Sequence, residues 1–473
     1  MNDEEKRQYE AAARATDQVR ALSSMLGRQP TACVVTFGCQ MNARDSEKLS
    51  GILESVGFAL SESEDADLVI YNTCTVRENA DNRLFGRLGA IGARKKTEPW
   101  RKLFVCGCMM QEDIHIERIK KSYPFVDLIF GTHNLFTFPS LLEAALAPEN
   151  QGRLIIDVWQ ETKTIAERLP SKRKYPFKSG VNIMFGCDNF CTYCIVPYVR
   201  GRERSRTADE ILEEVEKLKD DGVKEIMLLG QNVNSYGNKV PEGEREAYGD
   251  FPSLLERVAE TPGIGRVRFM TSHPKDLSDR LIDVIASHDN IARHLHLPLQ
   301  SGSDRILKRM NRGYTREQYL DLAARIRDRI PDIALTTDLI TGFPGETPED
   351  VDLTIDVVRR VRFQNAFTFL YSRRSGTPAA GFPDQVDHAL AQEGFDRLLA
   401  VVQEIAKAEC AAKEGQTGVA LVEAVNESDP SLVTGRLSDN LLVHFPGDRN
   451  LIGEFVPVRL TEARGFYYIG KRE

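Results

Sequence analysis

The chain has 473 residues, of which 41% are hydrophobic and 28% charged, and its formal net charge is −8. The length predicts several domains, and the acidic balance excludes nucleic-acid binding through overall charge, so such binding must depend on local patches. No apolar run approaches the roughly 20 residues of a membrane span, and the acidic start Met1–Lys6 is unlike a signal peptide. We therefore expect a cytoplasmic protein without membrane contact, and its odd number of nine cysteines argues for metal ligation rather than disulfides.

The N-terminal part of the sequence predicts a charged segment followed by an open α/β sheet domain. Residues 1–30 are helix-prone, and we expect a tail that forms a mobile or capping helix. From 31 to 149 apolar strands alternate with amphipathic helices, which is typical of an open α/β sheet. The predicted strands are 32–37, 67–71, 103–106 and 126–130. Residues 150–172 are rich in charge and predict a linker.

A cysteine follows each of the first three predicted strands, at Cys39, Cys74 and Cys108. Because the carboxyl ends of parallel strands share one edge of a sheet, these cysteines are expected to converge. Single scattered cysteines are otherwise small buried hydrophobes, and that interpretation holds for Cys33 and Cys106, which lie inside apolar strands, and for Cys410, which lies inside a helix. Cys106 lies two residues before Cys108 and is a competing third ligand. The shared position favours a ligand set.

A second cysteine group occupies one short loop in the central region, 173–403. An apolar strand at 181–185 leads into Gly186, and Cys187, Cys191 and Cys194 follow at C-x3-C-x2-C spacing. Grouped thiolates suit zinc or an iron–sulfur cluster. A structural zinc site needs four ligands, and no fourth Cys or His follows nearby. Three thiolates on a four-iron cluster leave one iron open, which favours the cluster over an incomplete zinc site.

Five further strands are predicted in the central region, and with the strand before the cysteine loop they make six. They are 225–229, 266–270, 294–299, 333–340 and 365–370. This number indicates a partial barrel of strand–helix units, with a full eight-stranded barrel as the alternative. Alternation in 294–299 places the leucines on one face, so that His294, His296 and Gln300 point into the barrel if the leucines pack on helices. We expect hydrogen bonds of the core to satisfy both histidines.

Two further features are a predicted C-terminal barrel and a basic segment around the cysteine loop, and the basic segment favours a polyanionic partner. Evenly spaced short strands within 406–470 predict a small β-barrel, with Phe445, Tyr467 and Tyr468 as stacking candidates that fit a core role better. Basic residues also flank the cysteine loop, and a solvated surface is their alternative interpretation. Those that follow the loop are Arg200, Arg202, Arg204 and Arg206.

The cysteine loop, with Tyr193 before its last cysteine, resembles the signature of the radical S-adenosylmethionine (SAM) superfamily. The segments 38–42, 72–78 and 107–109 ahead of it resemble the methylthiotransferase family. This resemblance implies an α/β fold with an N-terminal open α/β sheet domain, a central partial (β/α)6 radical SAM barrel and a C-terminal TRAM barrel. It implies two 4Fe–4S clusters, one on Cys187, Cys191 and Cys194, and an auxiliary one on Cys39, Cys74 and Cys108 rather than Cys106. The implied SAM contacts are Gly230, Gln231, Asn232, Ser272, His273, Gln300 and Ile340.

Within that family, the segments 39–42 and 194–206 resemble the branch that acts on N6-isopentenyladenosine at position 37 of tRNA. The branches acting on threonylcarbamoyladenosine or on a ribosomal-protein aspartate are the alternatives. The implied reaction is methylthiolation of C2, in which one SAM donates a methyl group and another yields a radical. No side chain is then expected to act as acid, base or nucleophile, because the cofactor performs the chemistry.

The resemblance also implies partners. They are the tRNA anticodon stem-loop, contacted by Arg200, Arg202, Arg204 and Arg206, a flavodoxin-like or ferredoxin-like electron donor, and a supplier of sulfur or iron–sulfur clusters. An alternative from another class is a non-catalytic RNA-binding protein whose cysteines hold structural zinc.

Overall fold

The computed structural model describes residues 3–75 and 79–473, apart from the side chains of residues 79–83. Contacts divide the chain into two compact units. The N-terminal unit comprises the chain through Lys174 together with 185–188 and 195–204, and the C-terminal unit comprises 175–184, 189–194 and 205–473. In the part of the chain that the structure describes, no helix has the length and apolar character to cross a membrane.

The N-terminal unit contains a six-stranded sheet in the order β2-β1-β3-β4-β5-β6, with every neighbouring pair parallel. The strands are β1 (Thr31–Thr36), β2 (Ala59–Leu60), β3 (Leu68–Thr73), β4 (Lys102–Gly107), β5 (Leu128–Phe130) and β6 (Ile155–Asp157). β3 and β4 are buried at every position, as apolar parallel strands covered on both faces must be. The predicted open α/β sheet is confirmed.

Helices cover this sheet. They are α1 (Asp3–Leu26), α2 (Gln40–Ser55), α3 (Asn79–Lys95), α4 (Asp113–Ser122) and α5 (Phe138–Leu146). α1 lies in the segment 1–30, for which a mobile or capping helix was expected, and it packs against the rest of the unit. Ala11, Ala15 and Val19 are buried, and Arg14 forms a two-pronged ion pair with Glu143 on α5. A stripe of small residues on a charged helix gave little sign of this packing.

β6 lies inside the segment 150–172 that was predicted to be a linker. Ile155 pairs with Leu128 and Ile156 with Ile129, which extends the sheet by one strand. β2 was also missed by the sequence prediction. β2 has only two residues, too few for a pattern of alternation, and β6 lies within a segment rich in charged residues.

The C-terminal unit contains the six predicted parallel strands, arranged as the sheets β11-β10-β7 and β12-β13-β14. The short β8 (Met184–Phe185) and β9 (Arg204–Ser205) lie where the chain passes between units. The six strands are β7 (Lys178–Asn182), β10 (Glu225–Leu229), β11 (Arg266–Phe269), β12 (His294–His296), β13 (Ala334–Thr341) and β14 (Asn365–Leu370). This is the partial (β/α)6 barrel that the sequence indicated.

The helices of the central region follow from capping and from apolar stripes. Thr207 accepts a hydrogen bond from the backbone N–H of Glu210 and caps α7, whose Ile211 and Val215 are buried. The helices are α6 (Val196–Val199), which belongs to the N-terminal unit, and α7 (Ala208–Asp220), α8 (Phe251–Ala259), α9 (Asp279–Ser287), α10 (Asp304–Arg309), α11 (Arg316–Arg329), α12 (Pro348–Val361) and α13 (His388–Ala411). Leu295, Leu297 and Leu299 join the core with these helices, so the predicted orientation of this strand is confirmed.

Residues 417–472 form the predicted small barrel, which is closed in the order β15-β16-β17-β19-β18. Its strands are β15 (Thr417–Val425), β16 (Leu432–Arg436), β17 (Leu442–Pro446), β18 (Phe455–Ala463) and β19 (Tyr467–Arg472). Phe445 and Tyr468 are fully buried in its core, so neither is exposed as a stacking surface. Tyr467 is half-buried and its ring packs on His444, with centroids 5.0 Å apart.

Buried arginines join this small barrel to the central strands. Glu225 on β10 accepts from Arg266 at 3.4 Å and from Arg268 at 3.1 Å. Arg266 donates onward to the carbonyl oxygens of Val419 and Arg436, and Arg268 to those of Leu437 and Ser438. The barrel therefore contacts the central strands through guanidinium groups that hold its backbone.

Candidate metal and cofactor site

The thiols of Cys39, Cys74 and Cys108 lie together in the N-terminal unit, at the exits of β1, β3 and β4. The Sγ atoms of Cys39 and Cys108 are each 3.8 Å from Oδ1 of Asn42. Cys74 lies against the backbone before Cys39, since a Cβ on Gly38 would be 2.6 Å from its Sγ. Gly38 also has a φ of +111°, which only glycine adopts readily. The turn after β1 thus requires glycine in order to bring these sulfurs together.

Asn42 is the residue around which these thiols gather, and its own amide is fixed. Its Nδ2 donates to the carbonyl oxygens of Phe37 at 3.0 Å and Thr73 at 2.8 Å. The amide oxygen is therefore directed at the sulfurs. Asn72, two residues before Cys74, donates to the backbone oxygen of Asn42 at 2.8 Å. The exits of β1 and β3 are thereby connected by buried amides.

Arg200 completes this site from the segment after the cysteine loop. Its Nε donates to Sγ of Cys108 at 3.2 Å, and its Nη2 donates to Oδ1 of Asn42 and to Oδ2 of Asp45, both at 2.8 Å. Burial raises the pKa of the Cys108 thiol to about 12, and Arg200 opposes this rise. The guanidinium is buried, so it stabilises the thiolate form of Cys108 rather than facing solvent.

The other arginines predicted to contact RNA differ in exposure. Arg206 is buried, donating to the carbonyl oxygen of Asn182 and to Glu214. Arg204 is half-buried and donates to the carbonyl oxygen of Thr162 at 2.7 Å. Arg202 has 73% of its side chain exposed and lies 3.4 Å from Asp188. Alternate arginines in a motif thus serve different purposes, which the sequence could not reveal.

Cys106, the competing ligand, packs in a different apolar cluster from Cys74 and Cys108. It is fully buried in an apolar cluster with Phe104 and Phe130, and its pKa is raised well above the ordinary value by burial. Cys108 instead packs beside Ile195 and Val199. Among the described residues no cysteine forms a disulfide. Val76, Arg77 and Glu78, part of the motif after Cys74, lie outside the described residues.

The cysteine loop begins in the N-terminal unit and continues in the C-terminal unit. Gly186 has a φ of +76°, and a Cβ there would approach the carbonyl oxygen of Arg202 to 2.1 Å. This close approach lets the backbone N–H of Cys187 donate to the carbonyl oxygen of Gly201 at 3.1 Å. Any other residue at position 186 would force the backbone at Arg202 to move. Gly186 therefore fixes the start of the loop.

In the C-terminal unit, the segment after α10 holds the remainder of the loop. Thr192 bonds the backbone oxygens of Arg309 and Met310, and Asn311 donates to the carbonyl oxygens of Asn189 and Phe190, both at 3.1 Å. The backbone N–H of Cys194 donates to the carbonyl oxygen of Cys191 at 2.9 Å. These hydrogen bonds within the protein therefore define the loop conformation around Cys191 and Cys194.

Arg312 belongs to the same segment and contacts the loop through sulfur. Its Nη1 lies 3.4 Å from Sγ of Cys191, and its Nη2 donates to the carbonyl oxygen of Pro298 at 2.8 Å. Its Nε donates to the hydroxyl of Tyr314 at 3.0 Å. Arg312 is buried. The sequence analysis missed this residue, and only its place in the fold identifies it.

The predicted SAM contacts after β10 and β11 lie together. The side chain of Asn234 accepts from the backbone N–H of His273 at 2.9 Å and donates to its carbonyl oxygen at 3.0 Å. Val233 donates to the carbonyl oxygen of Thr271 at 3.1 Å. These bonds connect the two strand exits that carry the following residues: Gly230, Gln231, Asn232, Ser272 and His273.

Gln300 and Ile340 are brought together at the exits of β12 and β13. The N–H of Ile340 donates to the carbonyl oxygen of Gln300 at 2.9 Å. Tyr314 lies between the two pairs of exits, since its hydroxyl donates to the carbonyl oxygen of Leu299 at 2.8 Å and its ring lies 5.7 Å from that of His273. The hydroxyl also accepts from Arg312. The predicted SAM contacts and Cys191 thus form one continuous region.

Several buried polar atoms in this region lack a partner among the described residues. They are Oδ1 of Asn232, Oγ of Ser272 and Nε2 of His273. Nδ1 of His273 accepts from the backbone N–H of Lys275, so Nε2 carries the ring proton. Burial lowers the pKa of His273 to about 2, with Arg312 and Lys275 contributing in the same direction. A polar ligand with acceptors for a hydroxyl and a neutral imidazole fits this site.

Sequence profiles match three parts of the chain. The radical SAM superfamily matches residues 181–358, the uncharacterized protein family UPF0004 matches 31–131, and the TRAM domain matches 411–471. Among solved structures, the radical SAM methyltransferase TsrM from Kitasatospora setae with cobalamin and a [4Fe-4S] cluster aligns with a TM-score of 0.52 at 15% identity, over 74% of this chain and 77% of that one. Fold and profile together define the chain as a radical SAM enzyme.

Closer relatives specify the family. A tRNA-2-methylthio-N(6)-dimethylallyladenosine synthase of Lachnoclostridium phytofermentans is 54% identical over 96% of this chain and 98% of its own. Its counterpart in Alkaliphilus oremlandii is 50% identical over 94% of this chain and 93% of its own. The chain therefore belongs to the tRNA-2-methylthio-N(6)-dimethylallyladenosine synthase family. The alternative branches and the zinc-binding alternative are not favoured.

Proposed function

We propose that this protein methylthiolates C2 of N6-isopentenyladenosine at position 37 of tRNA, with SAM as methyl donor and as the source of the radical. Membership in the synthase family supports this substrate. The observation that carries the proposal is the grouping of Cys39, Cys74 and Cys108 around Asn42 and Arg200, in addition to the cysteine loop of the radical SAM barrel. Two three-thiol sites in one chain are what methylthiolation by this route needs.

The enzyme uses two 4Fe–4S clusters and SAM. We assign the auxiliary cluster to Cys39, Cys74 and Cys108 and the radical SAM cluster to Cys187, Cys191 and Cys194. The donor sets fit, because thiolates are the ligands of such clusters and hydrogen bonds to their sulfurs come from Arg200 and Arg312. When bound, the two clusters supply the sulfur site and the electron for cleaving SAM, which activates a C–H bond that no side chain could attack.

The protein's own residues bind and orient SAM. We assign its polar contacts to Gly230, Gln231, Asn232, Ser272, His273 and Gln300, and an apolar contact to Ile340. The neutral Nε2–H of His273 and the hydroxyl of Ser272 would donate to a carboxylate, and Asn232 would accept from an amino group. Asn232 is kept in place by its own Nδ2, which donates to Asp276 at 2.8 Å. Because contacts within the protein hold Asn232 and His273 in place, the entropic cost of ordering these side chains when SAM binds is reduced.

RNA recognition rests on fewer arginines than the motif contains. We propose that Arg202, and the partly exposed Arg204, contact the anticodon stem-loop, whereas the burial of Arg200 and Arg206 gives those two internal roles. The TRAM barrel would supply a second RNA contact. We further propose a cytoplasmic enzyme that receives electrons from a flavodoxin-like or ferredoxin-like donor and sulfur from a separate supplier.

The first test is the iron and sulfide content of anaerobically purified protein. Wild type should contain about eight irons, and both the Cys39/Cys74/Cys108 and the Cys187/Cys191/Cys194 triple alanine variants about four each. Only the variant that keeps the second trio should cleave SAM, and neither should make methylthio product. Zinc in place of iron would overturn the proposal, as would product from the first variant.

A further inference from the structure

Two phenylalanines on β14, the edge strand of the sheet β12-β13-β14, are unusually exposed for residues of the partial barrel. Phe367 is 48% exposed and Phe369 is 46% exposed. They are two residues apart, so their side chains lie on the same face of the strand. Ala366, on the opposite face, is buried in the core with Leu398 and Val402 of α13. The helices therefore cover one side of this strand, and the phenylalanines are on the inner side of the partial barrel.

The neighbours of these rings connect them to the proposed SAM site. Phe369 pairs in register with Ile340, and Phe367 pairs with Asp338. The ring of His296 on β12 lies 6.0 Å from that of Phe367. The backbone N–H of Ile340 donates to the carbonyl oxygen of Gln300, and both residues are assigned SAM contacts. The aromatic pair is thus continuous with the site at which the reacting nucleoside must meet SAM.

The charge on this face limits what it can bind. Its register positions run from His294 and His296 on β12 through β13 to Phe369 on β14. All of these lie within the described residues, and Asp338 is the charged one among them. The His296 ring lies 3.4 Å from the Asp338 carboxylate, and both histidines contact Oγ1 of Thr336 at 3.0 Å. The two histidines, Thr336 and Asp338 therefore largely satisfy one another's hydrogen bonds. A ligand carboxylate bound on this face would lie near the negative charge of Asp338 and not near a cation.

We propose that Phe367 and Phe369 form the subsite for the isopentenyl group on N6 of the target adenosine. This inference rests on the proposed function and specifies how the enzyme selects its substrate. The group is branched, apolar and uncharged, and the two exposed rings offer it apolar surface that otherwise faces water. The carboxylate of a threonylcarbamoyl group would be repelled by Asp338. The face thus selects the prenylated nucleoside.

The test compares two synthetic anticodon stem-loop RNAs that differ only at position 37, one with N6-isopentenyladenosine and one with adenosine. Binding of each to anaerobic, cluster-loaded protein is measured by fluorescence anisotropy, and the ratio of the two Kd values is the preference. We expect Phe367→Ala and Phe369→Ala each to reduce the preference about tenfold, as loss of apolar contact in a pocket does. Affinity for the adenosine RNA should remain unchanged.

Two further variants make the result specific. Phe367→Leu keeps apolar area at this position and should retain part of the preference for the prenylated RNA. This conservative variant also guards against a result that comes from misfolding. Phe466→Ala removes a phenylalanine that is 56% exposed on the small barrel, and it should leave the preference unchanged. Iron content and affinity for SAM are measured for every variant and should match the wild type.

Other outcomes would overturn the subsite. Equal weakening of both RNAs would mean that the rings stack on bases of the loop, and loss of SAM affinity would mean that they line the SAM site instead. An unchanged preference in both alanine variants would show that Phe367 and Phe369 have no role in substrate selection. If wild type itself showed no preference and made no methylthio product, the proposed function would fail, which is a distinguishable result.

Discussion

Arg200 and Arg312 have matching positions on the two thiol groups. Each is buried, and each directs one N–H at a single cysteine sulfur, at 3.2 Å from Cys108 and 3.4 Å from Cys191 respectively. A charged donor stabilises the more negative form of a group that it contacts. Adding an electron makes a cluster more negative, so each arginine should favour reduction of its own cluster.

We predict that Arg200→Met lowers the reduction potential of the auxiliary cluster. A difference of about 1.5 kcal/mol between oxidation states, the lower end of the range for a charged hydrogen bond, corresponds to ~65 mV for one electron. Redox titration followed by electron paramagnetic resonance measures it, in protein whose other cluster is absent. Arg312→Met is the matched control, and it should lower the reduction potential of the radical SAM cluster alone. Equal shifts in both clusters, or none, would contradict the assignment.

A second prediction concerns the protonation of His273. Since burial keeps its pKa near 2, the imidazole is neutral and donates only through Nε2. SAM binding should therefore show no step between pH 5.5 and 7, whereas a histidine of ordinary pKa would bind the SAM carboxylate more tightly as pH falls through about 6.5. Isothermal titration calorimetry across this range measures the effect.

The matched substitutions at His273 test the same donor. His273→Ala should weaken SAM binding about tenfold or more, because a hydrogen bond to a charged acceptor is lost. His273→Gln places an amide N–H near the position of Nε2 and should recover part of the affinity. Tighter binding at low pH in wild type, or equal affinities for the alanine and glutamine variants, would show that His273 does not donate to SAM.

At the scale of elements, the sequence was sufficient for most strands. The six central strands and the short strands of the small barrel were predicted because each has at least three residues of clear apolar pattern between turn residues. Parallel strand order also predicted that Cys39, Cys74 and Cys108 would converge. Family resemblance supplied the cofactors, which no pattern of hydrophobicity could specify.

What the sequence did not reveal was burial of charge. Arg200, Arg202, Arg204 and Arg206 alternate in one basic motif, yet two are buried and one is exposed. Arg312 lies more than one hundred residues from the cysteine that it contacts. Whether an arginine faces solvent or a cysteine sulfur depends on the packing of distant segments. A local sequence motif does not predict that packing.

The contact between the small barrel and the central strands leads to a third prediction. Arg268→Met removes the donors to the carbonyl oxygens of Leu437 and Ser438, at 2.6 and 3.0 Å, and leaves Glu225 with one arginine. Loss of one partner from this buried ion pair should lower the free energy of unfolding by about 3 kcal/mol. We expect faster protease cleavage in the connection between α13 and β15, measured by mass spectrometry of timed digests.

The control for the barrel contact is Arg464→Met, which removes an exposed ion pair with Glu462. Pairs at the surface contribute only about 0–1 kcal/mol, so cleavage should proceed as in wild type. If Arg268→Met were as resistant as this control, the guanidinium would not hold the barrel in place.

For the whole molecule, a net charge of −8 must be reconciled with a polyanionic substrate. An acidic protein repels RNA at long range, so attraction has to come from a few exposed cations near the site. Arg202 is 73% exposed and adjoins the cysteine loop. If it contacts a phosphate, binding should release a counterion, and affinity should depend on salt accordingly.

We predict that Arg202→Gln lowers the slope of log K against log salt concentration by about 1, and weakens binding of modified and unmodified stem-loops alike. Anisotropy titrations at several potassium chloride concentrations measure the slope. Arg20→Gln removes an arginine on α1 that is 76% exposed and should leave the slope unchanged. A phosphate contact has no preference for the base, so an effect confined to the prenylated RNA would place Arg202 at the nucleoside instead. An equal decrease in both arginine variants would show that overall charge, and not a local contact, governs binding.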